Sequence, residues 1–393
     1  MERGLFAEVV LGRLDALGIA DVEYDPAKFS VRQGDGRNIY LGNLFHECEG
    51  APESDRERMI DRFLEAMTGS EITPDDWAAA RPLLRPVLRP ATYGIDDGAA
   101  LSLLSRPALP FVSEFVVLDL PRTRAYVSLD RVREWNIDPA EVFAVARANL
   151  ATVARPGVPD PSKFVRFIDT GDSYFGSWLL VPGWLASYAG DGHRPVAFIP
   201  DDDTLLIVPD DPDLLAKVYE SVEEQYRESA RHISPQGYTV DEHGTVVPLD
   251  ELPAHPARTR ALRARAGLAA TEYVAQTRFL TAKLDSDLDL LPFSDIEPAY
   301  VAPVDFRNTA SGPATTTVCG AGVEYLLPET DYVYFVRRDD EGEIDLICTV
   351  PFDAVVEILG LVPVPGLHPP RFELRRWPDD AALARLRERA VTL

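Results

Sequence analysis

Two apolar runs, VAFIP at 196–200 and TLLIVP at 204–209, stand three aspartates apart and lead into Asp210-Asp211-Pro212. Asp201, Asp202 and Asp203 fill the length of a turn between two strands. Aspartate suits tight turns because it tolerates left-handed geometry and bonds its own backbone. Asp210 or Asp211 then offers an N-cap, and Pro212 sits inside the start of a helix. Asp213 falls in its first turn, where the helix dipole favours an anion. Leu215, Val218, Tyr219 and Val222 give that helix an apolar face. These six carboxylates lie within thirteen positions, a density that also suits a divalent metal. Turn and cap account for all six without one, so the expectation is a solvent-facing hairpin tip followed by a capped helix.

The same rhythm runs through the rest of the chain. Asp138-Pro139-Ala140-Glu141 reads as an N-cap, a proline at the first helical position and a glutamate at the third, with Phe143, Ala146, Leu150 and Val153 along one face. MERGLFAEVVLGRLDALG is an amphipathic helix carrying Phe6, Val10, Leu14 and Leu17. A second helix is expected from Glu53 to Met67, with Ser54 and Glu57 as a capping box. PLLRPVLRPATYG is proline-interrupted and reads as an edge or bulged strand. FVVLDL and AYVSL flank a turn at 121–124, KFVRFI is a strand, and the stretch from Trp178 to Ala186 enters a helix near Pro182. YTVDEHGTVVPL forms a hairpin about Glu242-His243-Gly244. From Arg258 a helix carries Leu262, Ala266, Ala269, Tyr273, Leu280 and Leu284 on one stripe. TTTVC, VEYLL, DYVYFVRR and EIDLICTV follow as strands, VPFDAVVEILG as a helix, RFELRRW as a strand, and Asp380 opens a terminal helix. The 33 prolines and 25 glycines are scattered, marking frequent turns. The fold class expected is α+β, mixed strands and helices in two lobes. LDELPAHPA is the expected link, dividing the chain into 1–253 and 258–393.

The first of these lobes resembles the YtpQ-like bacterial proteins, a domain of unknown function. The resemblance rests on LRPVLRP with Arg85 and Arg89, LDLPRT with Asp119 and Thr123, and ARANL with Asn149 and Leu150. The AFIPDDDTLLIV hairpin and the DEHGTVVPL segment add to it. It covers about residues 1–253 and implies a bacterial, intracellular α+β domain, without implying a reaction.

Charge then narrows the function. With 64 acids against 39 bases the formal charge is −25, which repels phosphate backbones and anionic lipid. Neither a nucleic acid nor a membrane is an expected partner. No apolar run approaches the roughly 20 residues of a membrane span, and the first helix lacks the form of a secretory signal. Cys48, Cys319 and Cys348 are isolated thiols without disulfide or zinc spacing, which suits the cytoplasm.

No complete motif for chemistry stands in the chain. Asp285-Ser286-Asp287-Leu288-Asp289 begins like a calcium loop but has Leu290 and Ile296 where glycine and glutamate are needed. His46-Glu47-Cys48 has the wrong spacing for a zinc deaminase. Gly320-Ala321-Gly322 lacks the rest of a dinucleotide loop. Ser173, Asp191 and His193 form a triple only if the fold gathers them. No catalytic residue, metal ligand or cofactor is therefore assigned. Arg258, Arg260, Arg263 and Arg265 form the one basic concentration, read as a solvated helix face or as an anion site. Tyr174, Phe175, Trp178 and Trp184 read as core, or as an interface if half exposed. Two functions stay open. One is a non-enzymatic binding or adaptor protein with an acidic interaction surface, its partner another protein of basic character. The other is an enzyme of the hydrolase class whose site assembles from distant residues.

Overall fold

The computed structural model describes residues 2–19, 21–26, 29–33, 38–42, 44–45, 48, 51–68, 73–95, 102–121, 123–155, 157, 164–168, 174–190, 192–252, 255–284, 296–338 and 343–393. The fold is α+β. In chain order its first elements are α1 (Arg3–Ala16), β1 (Val22–Asp25), β2 (Ser30–Gln33), β3 (Asn38–Tyr40), α2 (Glu53–Thr68), α3 (Trp77–Ala80) and β4 (Leu84–Pro90). Next come β5 (Ser105–Leu109), β6 (Val112–Asp119), β7 (Arg124–Tyr126), α4 (Leu129–Trp135), α5 (Pro139–Ala151) and β8 (Val165–Ile168). The middle holds β9 (Pro195–Asp201), β10 (Thr204–Pro209), α6 (Pro212–Glu228), β11 (His232–Val240), β12 (Val246–Pro248) and α7 (Arg258–Leu284). The last stretch holds β13 (Tyr300–Val301), β14 (Asp305–Thr309), β15 (Gly312–Gly320), β16 (Tyr325–Pro328), β17 (Tyr332–Arg338) and β18 (Ile344–Pro351). α8 (Phe352–Leu359), β19 (Arg371–Leu374) and α9 (Asp380–Glu388) close the chain.

The chain divides into two compact units, one of residues 1–86, 116–149 and 228–231, the other of 87–115, 150–227 and 232–393. The expected link LDELPAHPA, residues 249–257, lies within the 232–393 stretch of the second unit, with Pro253 and Ala254 outside the described residues. Leu249 and Asp250 are buried there, and the Arg258 Nε donates to the Asp250 carbonyl at 3.2 Å. The link thus begins on two buried residues and turns outward at Glu251, which is exposed.

In the first unit β1, β2 and β3 form an antiparallel meander. Phe6, Val10 and Leu14 of α1 share a core with Phe29, Val31, Ile39, Leu41 and Leu64. The spacing of those three α1 residues is the helical period read in the sequence. α2 starts at Glu53, one residue before Ser54, and the Asp55 and Arg56 amides donate to the Pro52 carbonyl. Ser54 thus lies within the helix, one residue past its start, rather than just before it as expected of a capping box. Asp138 does cap α5, its Oδ1 accepting from the Ala140 amide at 2.8 Å.

The second unit contains the antiparallel sheet β12-β11-β9-β10-β8. Val196, Phe198, Leu206 and Val208 from it pack with Leu215, Val218, Tyr219 and Val222 of α6, and with Ala257, Ala261 and Ala264 at the start of α7. Two further sheets follow, β13-β16-β19 and β14-β15-β17-β18. The second of them buries Cys319, Val333, Phe335, Cys348 and Val350 against Phe352, Ala354 and Val355 of α8 and Leu383 and Leu386 of α9. The sequence from Trp178 to Ala186 does not make one helix. It forms two 3-10 turns, Phe175–Leu180 and Leu185–Tyr188, separated at Gly183, whose φ of +73° is left-handed. No helix among the described residues is long and apolar enough to cross a membrane.

Candidate interaction surface

The residues singled out in the sequence are mostly absorbed by the fold. Asp202 and Asp203 do form the turn between β9 and β10, and Asp211 caps α6, accepting from the Leu214 amide at 2.8 Å. Asp210 accepts from the Arg194 amide at 3.2 Å and lies 3.3 Å from His193 Nδ1. The tip faces solvent only in part: Asp202 and Asp203 are half-buried and Asp201 is not exposed as expected. Asp201 is buried and its Oδ2 accepts from Gln225 Nε2 at 2.7 Å. Asp202, its side chain 10% exposed, lies 3.5 Å from the guanidinium of Arg89. These carboxylates hold β4 and α6 to the hairpin. Among the described residues no three His, Cys, Asp or Glu side chains gather in a way that holds a metal.

The arginines at the start of α7 face acids of their own chain. Arg260 lies 3.5 Å from Glu220 and Arg263 3.7 Å from Glu223, both acids on α6. Arg265 bridges Asp250 and Asp331, and Asp331 also accepts from the Thr315 amide and hydroxyl. Trp178 and Trp184 are buried and packed edge to face at 5.2 Å, Tyr174 is buried, and Phe175 is half-buried with its ring 4.9 Å from Trp178, so most of this segment is core. His46, Glu47, Ser173, Asp191 and residues 285–289 lie outside the described residues. Gly320 ends β15, its amide donating to the Tyr325 hydroxyl at 2.9 Å, and Gly322 takes a left-handed turn position. Of the residues that carried the family resemblance, Arg85 Nε stands 3.9 Å from Asp119 Oδ2. The Asn149 Nδ2 donates to the carbonyls of Arg81 and Leu84 at 2.8 and 3.1 Å.

Buried titratable groups collect on and beside α7, Glu272 on the helix itself and Arg371 on β19 against it. Glu272 is 1% exposed, and its Oε2 accepts from the Thr92 amide at 2.8 Å and the Thr92 hydroxyl at 2.9 Å. Burial pushes its carboxyl up to about 7, against the lowering effect of those two bonds. Arg371, fully buried, has its guanidinium 5.2 Å from the Tyr273 ring centroid. It donates to Gln276 Oε1, Thr277 Oγ1 and the carbonyls of Ala302 and Leu326, all within 3.0 Å. Desolvation lowers it to about 10, so it stays charged at neutral pH. Both groups spend their hydrogen bonds on the protein itself, as buried charges must.

One surface of the second unit breaks the usual rule for a half-buried sheet, which is apolar inside and polar outside. In the β14-β15-β17-β18 sheet Val333 and Phe335 face the core, so Tyr334, Val336 and Arg338 alternate to the other side. The register places Val318 of β15 opposite Tyr334, Leu346 of β18 opposite Val336, and Ile344 opposite Arg338. Opposed residues share a face. The outer face is thus crossed by Val318, Tyr334, Val336, Leu346 and Ile344. Val318 is 41% exposed, Leu346 59% and Ile344 64%. A bulge at Ile347 sets this arrangement, since the ladder shifts between Phe335 and Val336. Ile347 packs on the core cluster beside Cys348, and Leu346 is turned outward. The Arg307 guanidinium covers the Tyr334 ring at 5.5 Å and pairs with Asp305 at 3.7 Å. Asp345 stands opposite Arg337 on the other face of the strands. A contiguous apolar stripe with a charged rim is the composition of a docking surface.

The chain was compared with protein-family models, with curated proteins and with solved structures, and none matches.

Proposed function

We propose that this chain is a non-enzymatic binding protein of adaptor type, and that a basic protein partner docks on the outer face of the β14-β15-β17-β18 sheet. The observation that carries the proposal is the exposure of Val318, Leu346 and Ile344 on the side of the sheet turned away from its core. The formal charge of −25 draws a basic partner from a distance, and the apolar stripe supplies the contact once it arrives. That charge also argues against a nucleic acid. In this reading residues 1–253 are a YtpQ-like domain and the cytoplasm is its compartment. The hydrolase reading has one observation in its favour, the raised carboxyl of Glu272. That carboxyl is already bonded twice to Thr92 and is 1% exposed, which suits a lock within the fold better than a group that meets substrate.

The test is a photo-cross-linking side chain placed at Leu346 and, as a control, at the exposed turn residue Glu242, in the native cell. A discrete adduct is expected from position 346 and not from 242, and the purified complex should weaken steeply with salt. Absence of an adduct at 346 overturns the proposal, as does turnover of a metabolite by purified protein that persists when Leu346→Asp is introduced.

A further inference from the structure

We infer that the partner enters as an added β-strand along the free side of β18, through a segment of alternating apolar, basic and apolar residues. The inference rests on the docking face proposed above and adds the mode of binding and the chemistry of the occupant. β18 is the last strand of its sheet and, among the described residues, pairs with β17 alone. Toward its C-terminal end the strand meets the chain's own C-terminal segment, where the Val391 amide donates to the Thr349 carbonyl at 2.8 Å. That contact lies beyond the bulge, and among the described residues no strand pairs with the stretch from Ile344 to Ile347 on the side away from β17. An edge strand presents half of its backbone donors and acceptors away from its neighbour, a ready template for another chain.

The side chains along that stretch specify what fits. Ile344 and Leu346 project to the outer face, so two apolar residues of an added strand extend the stripe begun by Val336. Asp345 projects to the opposite face, already beside Arg337. A basic residue of the added strand, directly across from Asp345, completes a row of alternating charge, and opposite charges across strands stabilise a pair. The same carboxylate argues against a second copy of this chain. The antiparallel two-fold pairing that best overlaps Ile344–Leu346 sets Asp345 against Asp345, and like charges directly opposite are unfavourable. Each copy would also bring a net charge of −25. Asp345 acts here as a gate: it guards the edge against self-pairing and accepts a basic strand.

Three synthetic ten-residue peptides test this on the full chain: alternating Val-Lys, alternating Val-Glu, and Val-Lys with every second amide nitrogen methylated. Val-Lys is expected to bind at least tenfold tighter than either of the others and to slow amide exchange at residues 344–347. Asp345→Lys should reverse the preference toward Val-Glu. Leu346→Asp, at a position 59% exposed, should leave the fold intact and weaken Val-Lys at least tenfold. Equal binding of the methylated peptide overturns strand addition, as does equal binding by Leu346→Asp, which would mean attraction by bulk charge alone. A dimer seen by sedimentation and lost in Leu346→Asp overturns the choice of occupant. If no peptide binds while the cross-link at 346 persists, strand addition fails and face docking stands. If the cross-link is itself absent, both fail.

Discussion

Glu272 accepts two hydrogen bonds from Thr92, a residue 180 positions earlier in the chain. The pair ties the segment after β4 to α7 through a carboxyl that burial has raised from 4.5 to about 7. Because the folded state holds this proton more tightly than the unfolded chain, stability from this group is complete below about pH 4.5. It declines as pH rises to about 7 and is level above that. The fall is on the order of 3 kcal/mol across that window. Urea unfolding of wild type and Glu272→Gln from pH 4 to 8.5 checks this: the variant should lose that slope and exceed wild type at pH 8. An unchanged slope in Glu272→Gln would assign the pH dependence to other groups.

Arg371 should tolerate no substitute. Arg371→Met leaves the Gln276 and Thr277 oxygens and the Ala302 and Leu326 carbonyls short of a donor, at roughly 3 kcal/mol or more in total. Arg371→Lys should recover little, since a single ammonium does not reproduce the planar fork. Denaturant midpoints of the two variants report this directly; a lysine variant equal to wild type would contradict it.

At the β9–β10 turn the two tip aspartates should behave differently. Asp202→Asn removes the ion pair with Arg89, whose side chains are 15% and 10% exposed, and should cost about 1 kcal/mol. Asp203→Asn should stay within about 0.5 kcal/mol of wild type. Melting temperatures of both, with and without calcium, magnesium or manganese and with chelator, are expected to be insensitive to metal.

Asp138→Ala should destabilise the protein by about 1 kcal/mol through loss of the α5 cap. An unfolding midpoint equal to that of wild type would show that the bond to the Ala140 amide contributes nothing in solution.

Limited proteolysis addresses the link. Because Asp250 is held by Arg258 and Arg265, a nick introduced between residues 252 and 257 should leave two fragments that co-purify and unfold together. Separation into two independently folded pieces would restore the border at 253–258.

Much of this architecture was legible wherever local chemistry decides it. The Asp138-Pro139 and Asp211-Pro212 starts, the apolar face of α6, and the hairpins about 201–204 and 241–245 follow from cap, period and turn. What escaped is what depends on residues far away. The apolar stripe of α7 includes Tyr273 and Leu280 but gives no hint that Glu272 and Gln276 are buried too. Their partners, Thr92 and Arg371, lie 180 and 95 positions off, and a charged residue is by default an exposed one. The exposed apolar face of the β14-β15-β17-β18 sheet is hidden in the sequence for a different reason. EIDLICTV reads as a strand, yet only the bulge at Ile347 determines that Leu346 faces outward, and three successive apolar residues at 346–348 were its single sequence trace. The tip expected at Asp201–Asp203 is less solvated than its turn chemistry suggests because Arg89 and Gln225 reach it from other elements.

The separation between Thr92 and Glu272 also has a meaning on the ribosome. At synthesis rates of roughly 5–20 residues per second, Thr92 emerges roughly 10–40 s before the carboxyl that will accept its amide and hydroxyl, and Arg371 follows the α7 residues it binds later still. The second unit is therefore made out of contact order. Strands β9 and β10 can pack on α6 as soon as it is made, whereas the segment after β4 waits for α7 to supply Glu272. The bonds that α7 makes with Thr92 and Arg371 are therefore among the last that the second unit can complete.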